Sequence, residues 1–255
     1  MKAVWKGYLG FGLVNIPVSL YTAVDESGIS FRLLHKDDNG PINYKRICSK
    51  CGEEVDWSDI VKGLEIGKNE YYVLTKGEID ELKPESDDLI EIHEFVPISD
   101  IDPLYINKNY FIGPQEGGER SYSLFKGVLE SQDKVAIATF VMREKKYLCM
   151  IKSYKKGLLL SILNYADNIR SIDNVPNINY EPPKLKDKEI ELSNQLIENL
   201  SSVSFNISKY ENTFQENLRE AIEKKAKGEA VSISKEKSKR TENLIESLQA
   251  SLEQK

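Results

Sequence analysis

Histidine and cysteine, which carry much metal and nucleophilic chemistry, are scarce in this 255-residue sequence. It has two histidines, His35 and His93, and three cysteines. Two histidines leave little scope for a histidine-rich catalytic metal site or for Ser-His-Asp catalysis. So few cysteines also indicate a reducing compartment.

Long apolar segments are missing as well. No run approaches the ~20 residues that a membrane-spanning helix needs. Lys6 interrupts the first apolar stretch, so the opening residues do not read as a secretory signal peptide. We therefore expect a cytoplasmic protein without a membrane partner.

The sequence has no excess of positive charge. It holds 35 Lys and Arg against 41 Asp and Glu, a formal net charge of −6. Residues 1–183 carry 22 basic and 28 acidic side chains, and residues 184–255 carry 13 of each. Since binding depends on where the charges lie, any nucleic-acid site must be a local concentration of lysines within an acidic protein.

Strand signals dominate the first two thirds of the chain, where aromatic and β-branched runs are separated by turn residues. Only two helices interrupt them: one begins at the capping box Thr75-x-x-Glu78, and one spans 119–131 at helical spacing. Many short strands with few helices predict a mainly β fold, a barrel or a curved sheet. The strands are predicted within 4–21 and at 29–35, 42–47, 71–74, 89–96, 104–112, 135–142, 147–153 and 158–163.

A proline-rich linker, residues 176–183, separates this part from a helical region, residues 184–255. Within that region Ser208-x-x-Glu211 predicts a second capping box, for a helix that ends at Gly228. Thr241 is predicted to cap a last amphipathic helix. Its apolar face either packs on its own domain or binds a partner, and consists of Leu244, Ile245, Leu248 and Leu252.

The motif Cys48-Ser49-Lys50-Cys51-Gly52 resembles a zinc knuckle, because two thiolates two residues apart hold half of a tetrahedral site. No second Cys-x-x-Cys motif supplies the other half, and Cys149 lies in a predicted strand, where we expect it to be a core residue. Two knuckles of a homodimer would make a four-cysteine site. The alternatives are inert turn cysteines and a redox pair, which would require the start of a helix in a βαβ unit.

Two groups of basic residues are candidates for contacts with DNA phosphates. Solvated turn lysines are the alternative interpretation for both. The first group contains Lys36, Lys45, Arg46 and Lys50, and the second contains Arg143, Lys145, Lys146, Lys152, Lys155 and Lys156.

Signatures of catalysis are not evident. The sequence contains no P-loop, dinucleotide-binding fingerprint or nucleophile elbow. Carboxylates could build a metal-dependent nuclease, yet no recognised spacing links the acidic residues, which are Asp87, Asp88, Asp100 and Asp102. We therefore expect no enzyme and no required cofactor, apart from a structural zinc ion at Cys48 and Cys51 if the knuckle is real.

Several separate motifs follow one another along the chain. The first is Trp5-Lys6-Gly7-Tyr8-Leu9-Gly10-Phe11-Gly12, which continues to Val18. The others are Leu33-Leu34-His35-Lys36, Tyr44-Lys45-Arg46-Ile47-Cys48, Ile60-Val61-Lys62-Gly63, Tyr72-Val73-Leu74-Thr75, Glu94-Phe95-Val96, Ile101-Asp102-Pro103-Leu104-Tyr105, Lys134-Val135-Ala136-Ile137-Ala138, Ser208-Lys209-Tyr210 and residues 246–252. In this order they resemble prokaryotic Ku, the DNA end-binding protein of non-homologous end joining.

The resemblance implies a Ku-type β-barrel core over residues 1–175, with a strap at about 31–63 that helps to encircle DNA. It implies a homodimeric ring through which a duplex end is threaded, so that contacts go to phosphates and sugars and not to bases. The first basic group would then line the strap. The resemblance also implies a role in repair of double-strand breaks, in the cytoplasm at the nucleoid.

In relatives the part after the barrel recruits and stimulates an ATP-dependent DNA ligase of the ligase D type, so residues 184–255 are expected to contact the ligase or the second subunit. This sequence lacks the long lysine-rich extension of many bacterial relatives.

Two other classes of function remain open. A metal-dependent nuclease at DNA ends would shorten a labelled duplex when Mg²⁺ is added, and a zinc-knuckle protein-interaction module would bind zinc but not DNA.

Overall fold

Seven strands in the described part of the chain close into a barrel. The computed structural model describes residues 1–25, 28–85 and 87–229. Its strands are β1 (Trp5–Phe11), β2 (Val14–Thr22), β3 (Lys62–Gly67), β4 (Glu70–Leu74), β5 (Leu89–Pro97), β6 (Ile106–Pro114), β7 (Lys134–Met142), β8 (Lys145–Tyr154) and β9 (Gly157–Leu163). Its α-helices are α1 (Lys76–Glu81), α2 (Glu119–Gln132), α3 (Asp187–Leu200) and α4 (Thr213–Ala226).

The barrel follows the strand order β1-β2-β6-β9-β8-β7-β5, and β5 closes it by pairing parallel to β1. All other neighbours are antiparallel. Closure leaves no unpaired sheet edge. The core consists of alternate apolar residues of these strands, among them Leu9, Val18, Leu20, Ile90, Ala138, Cys149, Ile151 and Leu160. The prediction of a mainly β fold is confirmed.

Helix α2 packs on the barrel through a buried face at helical spacing, formed by Tyr122, Phe125 and Leu129. The Tyr122 hydroxyl donates to the carbonyl of Ile112 at 2.6 Å and accepts from the N–H of Leu158 at 2.8 Å. Ile112 and Leu158 are partners in the β6–β9 register. One side chain therefore ties the helix to two paired strands.

The connection from β2 to β5 contains a long excursion, residues 31–85, which we call the arm. Strands β3 and β4 form their own two-stranded sheet within it. The strands predicted at 29–35 and 42–47 do not form, because this part has only isolated bridges, Leu34–Pro41 and Ile47–Glu54. The capping box of α1 is confirmed: Thr75 and Glu78 exchange side-chain and backbone hydrogen bonds.

The chain divides into two units. The first comprises Met1–Ser27 and Phe31–Ser171 and contains the barrel and the arm; the second comprises Gly28–Ser30 and Ile172–Lys255 and contains α3 and α4. The longest described helices have 14 residues, and none of the described helices is long and apolar enough to cross a membrane.

The second capping box is not where the sequence predicted it. Residues 207–209 form a single 3₁₀ turn, and α4 begins four residues later, with the side chain of Asn212 accepting from the N–H of Gln215. The predicted end of this helix is confirmed, because Gly228 has a φ of 78°. The last predicted helix lies outside the described residues, together with Leu244, Ile245, Leu248 and Leu252.

Candidate nucleic-acid interface

Three members of the first basic group lie on two short hairpins of the arm, which we call the arm hairpins (residues 33–42 and 46–55), and Lys45 directly precedes the second hairpin. Lys36 is in the turn of the first and Lys50 in the turn of the second. Both side chains are exposed and, within the described ranges, neither is part of an ion pair. Their charges are therefore free to meet an anionic ligand.

The other two members of this group are held by neighbours. Lys45 forms an ion pair with Glu54, with 2.7 Å between Nζ and Oε2. The Nε of Arg46 donates to the carbonyl of Val55 at 3.3 Å, and its guanidinium lies 4.7 Å from the centre of the Trp57 ring. These contacts hold the second arm hairpin together, and they occupy part of the hydrogen-bonding capacity that a phosphate would use.

The second basic group does not form one surface. Strand β8 has ten residues, and at ~3.3 Å per residue its ends are roughly 30 Å apart. Lys145 and Lys146 begin this strand and Arg143 lies in the turn before it, whereas Lys152, Lys155 and Lys156 lie at the opposite end. The structure thus divides the group into two sets of three.

At the Arg143 end of β8, the turn contains an acidic residue, Glu144, beside the basic ones. Arg143 and Glu144 both have left-handed backbones, with φ of 51° and 63°, as a two-residue hairpin turn requires. Lys83 pairs with Asp80 at 2.6 Å and with Glu144 at 2.8 Å. These two carboxylates raise the pKa of Lys83. Because Glu144 is engaged with Lys83, this pair also joins the arm to the barrel.

At the other end of β8, Lys152 and Lys155 line a cavity of about 210 Å³ together with Lys134 and Glu130. Glu130 accepts from Lys126 at 2.6 Å, which lowers the pKa of that carboxyl. Sequence reasoning missed Lys134, on β7, which lines this cavity, and Lys126, on α2, which pairs with the Glu130 carboxylate. In the sequence, the indication that Lys134 has a fixed place in the fold was its position just before a strong strand pattern.

The Cys-x-x-Cys motif forms a tight turn in the second arm hairpin. Gly52, with a φ of 77°, permits that turn. The N–H groups of Cys51 and Lys50, and then the Cys51 side chain, lower the pKa of the Cys48 thiol. Cys51 is exposed and its Sγ lies 3.9 Å from Oε2 of Glu53.

Cys149 is buried in the barrel, as the sequence predicted, and its thiol donates to the carbonyl of Ala138 at 3.4 Å. Burial raises its pKa. It cannot join Cys48 and Cys51 in one site.

The acidic residues considered for a nuclease act locally instead. Asp87 accepts from the N–H of Leu89 at 3.2 Å and Asp102 accepts from that of Leu104 at 2.8 Å, which satisfies backbone donors at the starts of β5 and of a 3₁₀ turn. Asp100 accepts from the neighbouring hydroxyl of Ser99. Among the described residues, no three His, Cys, Asp or Glu side chains are placed to hold a metal ion.

The arm exposes large apolar side chains. Tyr44 and Trp57 are 80% and 72% exposed. Single exposed apolar residues are ordinary, but the arm exposes many of them and has no buried side chain among its described residues. They also include Phe31, Leu33, Ile47, Val61, Leu64, Tyr72 and Val73.

Comparison with known proteins relates this chain to one family. Residues 10–192 match the family model described as the Ku70/Ku80 beta-barrel domain. Relatives named "Non-homologous end joining protein Ku" are similar over nearly the whole chain. That of Bacillus subtilis (strain 168) is 35% identical over 99% of this chain and 82% of its own length, and that of Archaeoglobus fulgidus is 36% identical over 99% of each. That of Mycobacterium tuberculosis is 34% identical over 89% of this chain and 84% of its own length.

Proposed function

Since this chain belongs to the Ku family, we propose that it binds the ends of linear double-stranded DNA, without sequence specificity, in non-homologous end joining. The observation that carries the proposal is the pair of exposed lysines in the turns of the arm hairpins, Lys36 and Lys50, neither of which forms an ion pair with a described residue. Contacts from such lysines go to phosphates, which are the same at every sequence.

The acidic total charge is compatible with this function, because only the surface that faces DNA needs to be positive. The lysines of the arm hairpins lie on an excursion from the barrel, where they can approach a duplex. Lys152, Lys155 and Lys134 outnumber Glu130 and Asp133 in the cavity that they line, which makes this cavity a second candidate for contact with the same backbone. Arg143, Lys145 and Lys146 are a third candidate, since Glu144 between them is already paired with Lys83.

We further propose that two chains assemble into a ring that encircles the duplex. The support is the apolar surface of the arm. A two-stranded sheet such as β3–β4 is marginal by itself, and the arm has no fully buried side chain among its described residues. Contact with a second copy would bury Tyr44, Trp57 and the other exposed residues of the arm, and would explain why they are apolar.

The second unit is our candidate for recruitment of an ATP-dependent DNA ligase. It exposes aromatic residues on the segment between α3 and α4 and at the start of α4. Phe205 and Tyr210 stack at 5.8 Å between ring centres, and both are exposed, as is Phe214. Exposed aromatic side chains of this kind are frequent anchors of protein interfaces. Substitution of Phe205 by Ala is expected to reduce stimulation of the ligase and to leave DNA binding unchanged.

The end-binding proposal is tested by a gel-shift comparison of one plasmid in linear and covalently closed form, at ~150 mM salt with chelator present. Retardation of the linear form alone is the expected result, because a closed circle offers no end. Equal retardation of both forms would contradict it. The same mixtures with Mg²⁺ and an end-labelled duplex test the nuclease alternative, which requires the label to be shortened.

A further inference from the structure

The two arm hairpins repeat one hydrogen-bond pattern. In the first, the N–H of His35 donates to the carbonyl of Gly40 at 2.8 Å, and the N–H of Asn39 donates back to the carbonyl of His35 at 2.9 Å. The N–H of Ile42 donates to the carbonyl of Leu33 at 3.0 Å. The turn depends on a left-handed residue, Asn39, with a φ of 57°.

The second hairpin has the same three bonds thirteen positions later. The N–H of Cys48 donates to the carbonyl of Glu53 at 2.9 Å, and the N–H of Gly52 donates back to the carbonyl of Cys48 at 2.8 Å. The N–H of Val55 donates to the carbonyl of Arg46 at 2.9 Å. Gly52 takes the left-handed position that Asn39 has in the first hairpin.

This repeat makes His35 the counterpart of Cys48, and Asp38 the counterpart of Cys51. In each hairpin the two residues are three positions apart, which is the spacing of paired zinc ligands in a knuckle. Imidazole nitrogen, carboxylate oxygen and thiolate sulfur are the three ligand types that zinc accepts. Each hairpin therefore offers two ligands, and the two hairpins together offer the four of a tetrahedral site.

The geometry of the first pair suits an ion. The Nδ1 of His35 and the Oδ1 of Asp38 are 2.9 Å apart, whereas two ligand atoms at ~2.0 Å from a tetrahedral zinc are roughly 3.3 Å apart. The pair needs to open by only a few tenths of an ångström. On the other side of the ring, Nε2 lies 3.6 Å from Oδ2 of Asp37. A carboxylate beside the second nitrogen of a zinc-bound histidine is a recurrent arrangement that orients the ring.

The arm hairpins also have no buried side chains to stabilise them. From residue 33 to residue 57 no side chain is buried, and only Gly40, Cys48 and Val55 are even half-buried. Segments that cannot build an apolar core are commonly stabilised by a metal ion, whose binding energy contributes directly to folding. We therefore expect a bound metal ion to stabilise the two turns.

We propose that His35, Asp38, Cys48 and Cys51 of one chain bind a single zinc ion that joins the two arm hairpins. The argument for this ion uses neither DNA binding nor the ring. The two pairs do not converge within the described structure, so the hairpins must close towards each other around the ion. Such closure would break no strand pairing among the described residues, since the two isolated bridges of this segment each lie within one hairpin.

The direct test is the zinc content of the full chain, purified with a reductant, equilibrated with excess zinc and then freed of unbound metal. One zinc per chain is expected. Half a zinc per chain would contradict the assignment, because it indicates a four-cysteine site shared by two copies. No retained zinc would overturn any metal site here. None of these results depends on whether the protein binds DNA.

Variants locate the ligands. Asp38→Asn should release zinc at a chelator concentration that leaves the wild-type site filled, whereas Asp56→Asn, the matched loss of an acid outside the turns, should not. Equal release from both variants would remove Asp38 from the site. The circular dichroism of the barrel checks that each variant folds.

A gain of ligand gives a test that does not depend on loss of structure. In Co²⁺-loaded protein, Asp38→Cys should raise the sulfur-to-cobalt charge-transfer absorption about 1.5-fold, in proportion to three thiolates against two. Asp56→Cys serves as the control and should leave it unchanged. An unchanged spectrum in Asp38→Cys would contradict the proposed ligand set.

Discussion

His35 and Cys48 occupy equivalent positions: the N–H of each donates to the carbonyl five residues later, at 2.8 and 2.9 Å. Each is the first residue of a turn that also carries an unpaired lysine, Lys36 in one and Lys50 in the other. An ion that joins the two turns would therefore fix the separation of two positive charges. Metal content and DNA affinity are then expected to be linked.

Removal of the metal should weaken DNA binding. Once the hairpins separate, Lys36 and Lys50 lose their fixed spacing and must be ordered again when DNA binds. We expect the chelated protein to bind a linear duplex more weakly than the zinc-loaded protein, with affinity restored when zinc is added back. Fluorescence anisotropy at fixed salt measures this. Equal affinity of both forms would show that the site does not position the lysines.

Replacing Lys36 and Lys50 by Ala should weaken end binding and flatten its salt dependence. Each phosphate contact contributes about −0.9 to the slope of log K against log salt for duplex DNA. We expect the slope to become shallower by about 0.9 for each contact that is lost. The double variant Lys209→Ala with Lys225→Ala, at two exposed lysines of the second unit, provides a charge-matched control. An unchanged slope in the Lys36 and Lys50 double variant would exclude these two lysines from the interface.

Tyr122→Phe should destabilise the barrel although it removes a single oxygen. The change leaves the carbonyl of Ile112 and the N–H of Leu158 without their buried partner, and an unsatisfied buried group costs about 1–3 kcal/mol. Denaturant unfolding followed by circular dichroism measures the loss. In Tyr72→Phe, where the side chain is exposed, we expect the free energy of unfolding to change by under about 0.5 kcal/mol. Similar losses in both variants would contradict the role given to the Tyr122 hydroxyl.

Two glycine substitutions should have opposite signs. A Cβ on Gly7 would collide with the backbone carbonyl of Asp88 and with the Trp5 ring, so Gly7→Ala should lower the free energy of unfolding by about 1–3 kcal/mol or more. A Cβ on Gly127, inside α2, meets nothing within 4 Å. Gly127→Ala should therefore raise stability by about 0.5–1 kcal/mol. Thermal unfolding distinguishes the two, and destabilisation by Gly127→Ala would contradict this description of α2.

The sequence predicted best where local pattern and tertiary environment agree. The barrel strands have buried alternate residues, as in β7, where Ala136, Ala138 and Phe140 are buried, and their predicted bounds differ from the structure by a few residues at most. The same reasoning failed for 29–35, where apolar residues suggested a strand. Phe31 and Leu33 are exposed there, because this part of the arm has no sheet to join.

Two other misses have local causes. Ser208 and Asn212 each precede a helical turn and offer a side-chain oxygen, so the pattern alone did not decide which of them begins α4. The correspondence of His35 and Asp38 with Cys48 and Cys51 was likewise not predicted. It emerges only when the hydrogen bonds of the two arm hairpins are compared.

The most direct test of a protein that encircles DNA is retention after the ends are removed. Protein would be loaded on a linear plasmid, the plasmid ends ligated, and the complex washed at about 1 M salt, where screening reduces electrostatic contacts to a range of ~3 Å. A threaded ring should stay on the closed circle and leave only when the DNA is cut again. Loss from the ligated circle as fast as from linear DNA would contradict encirclement.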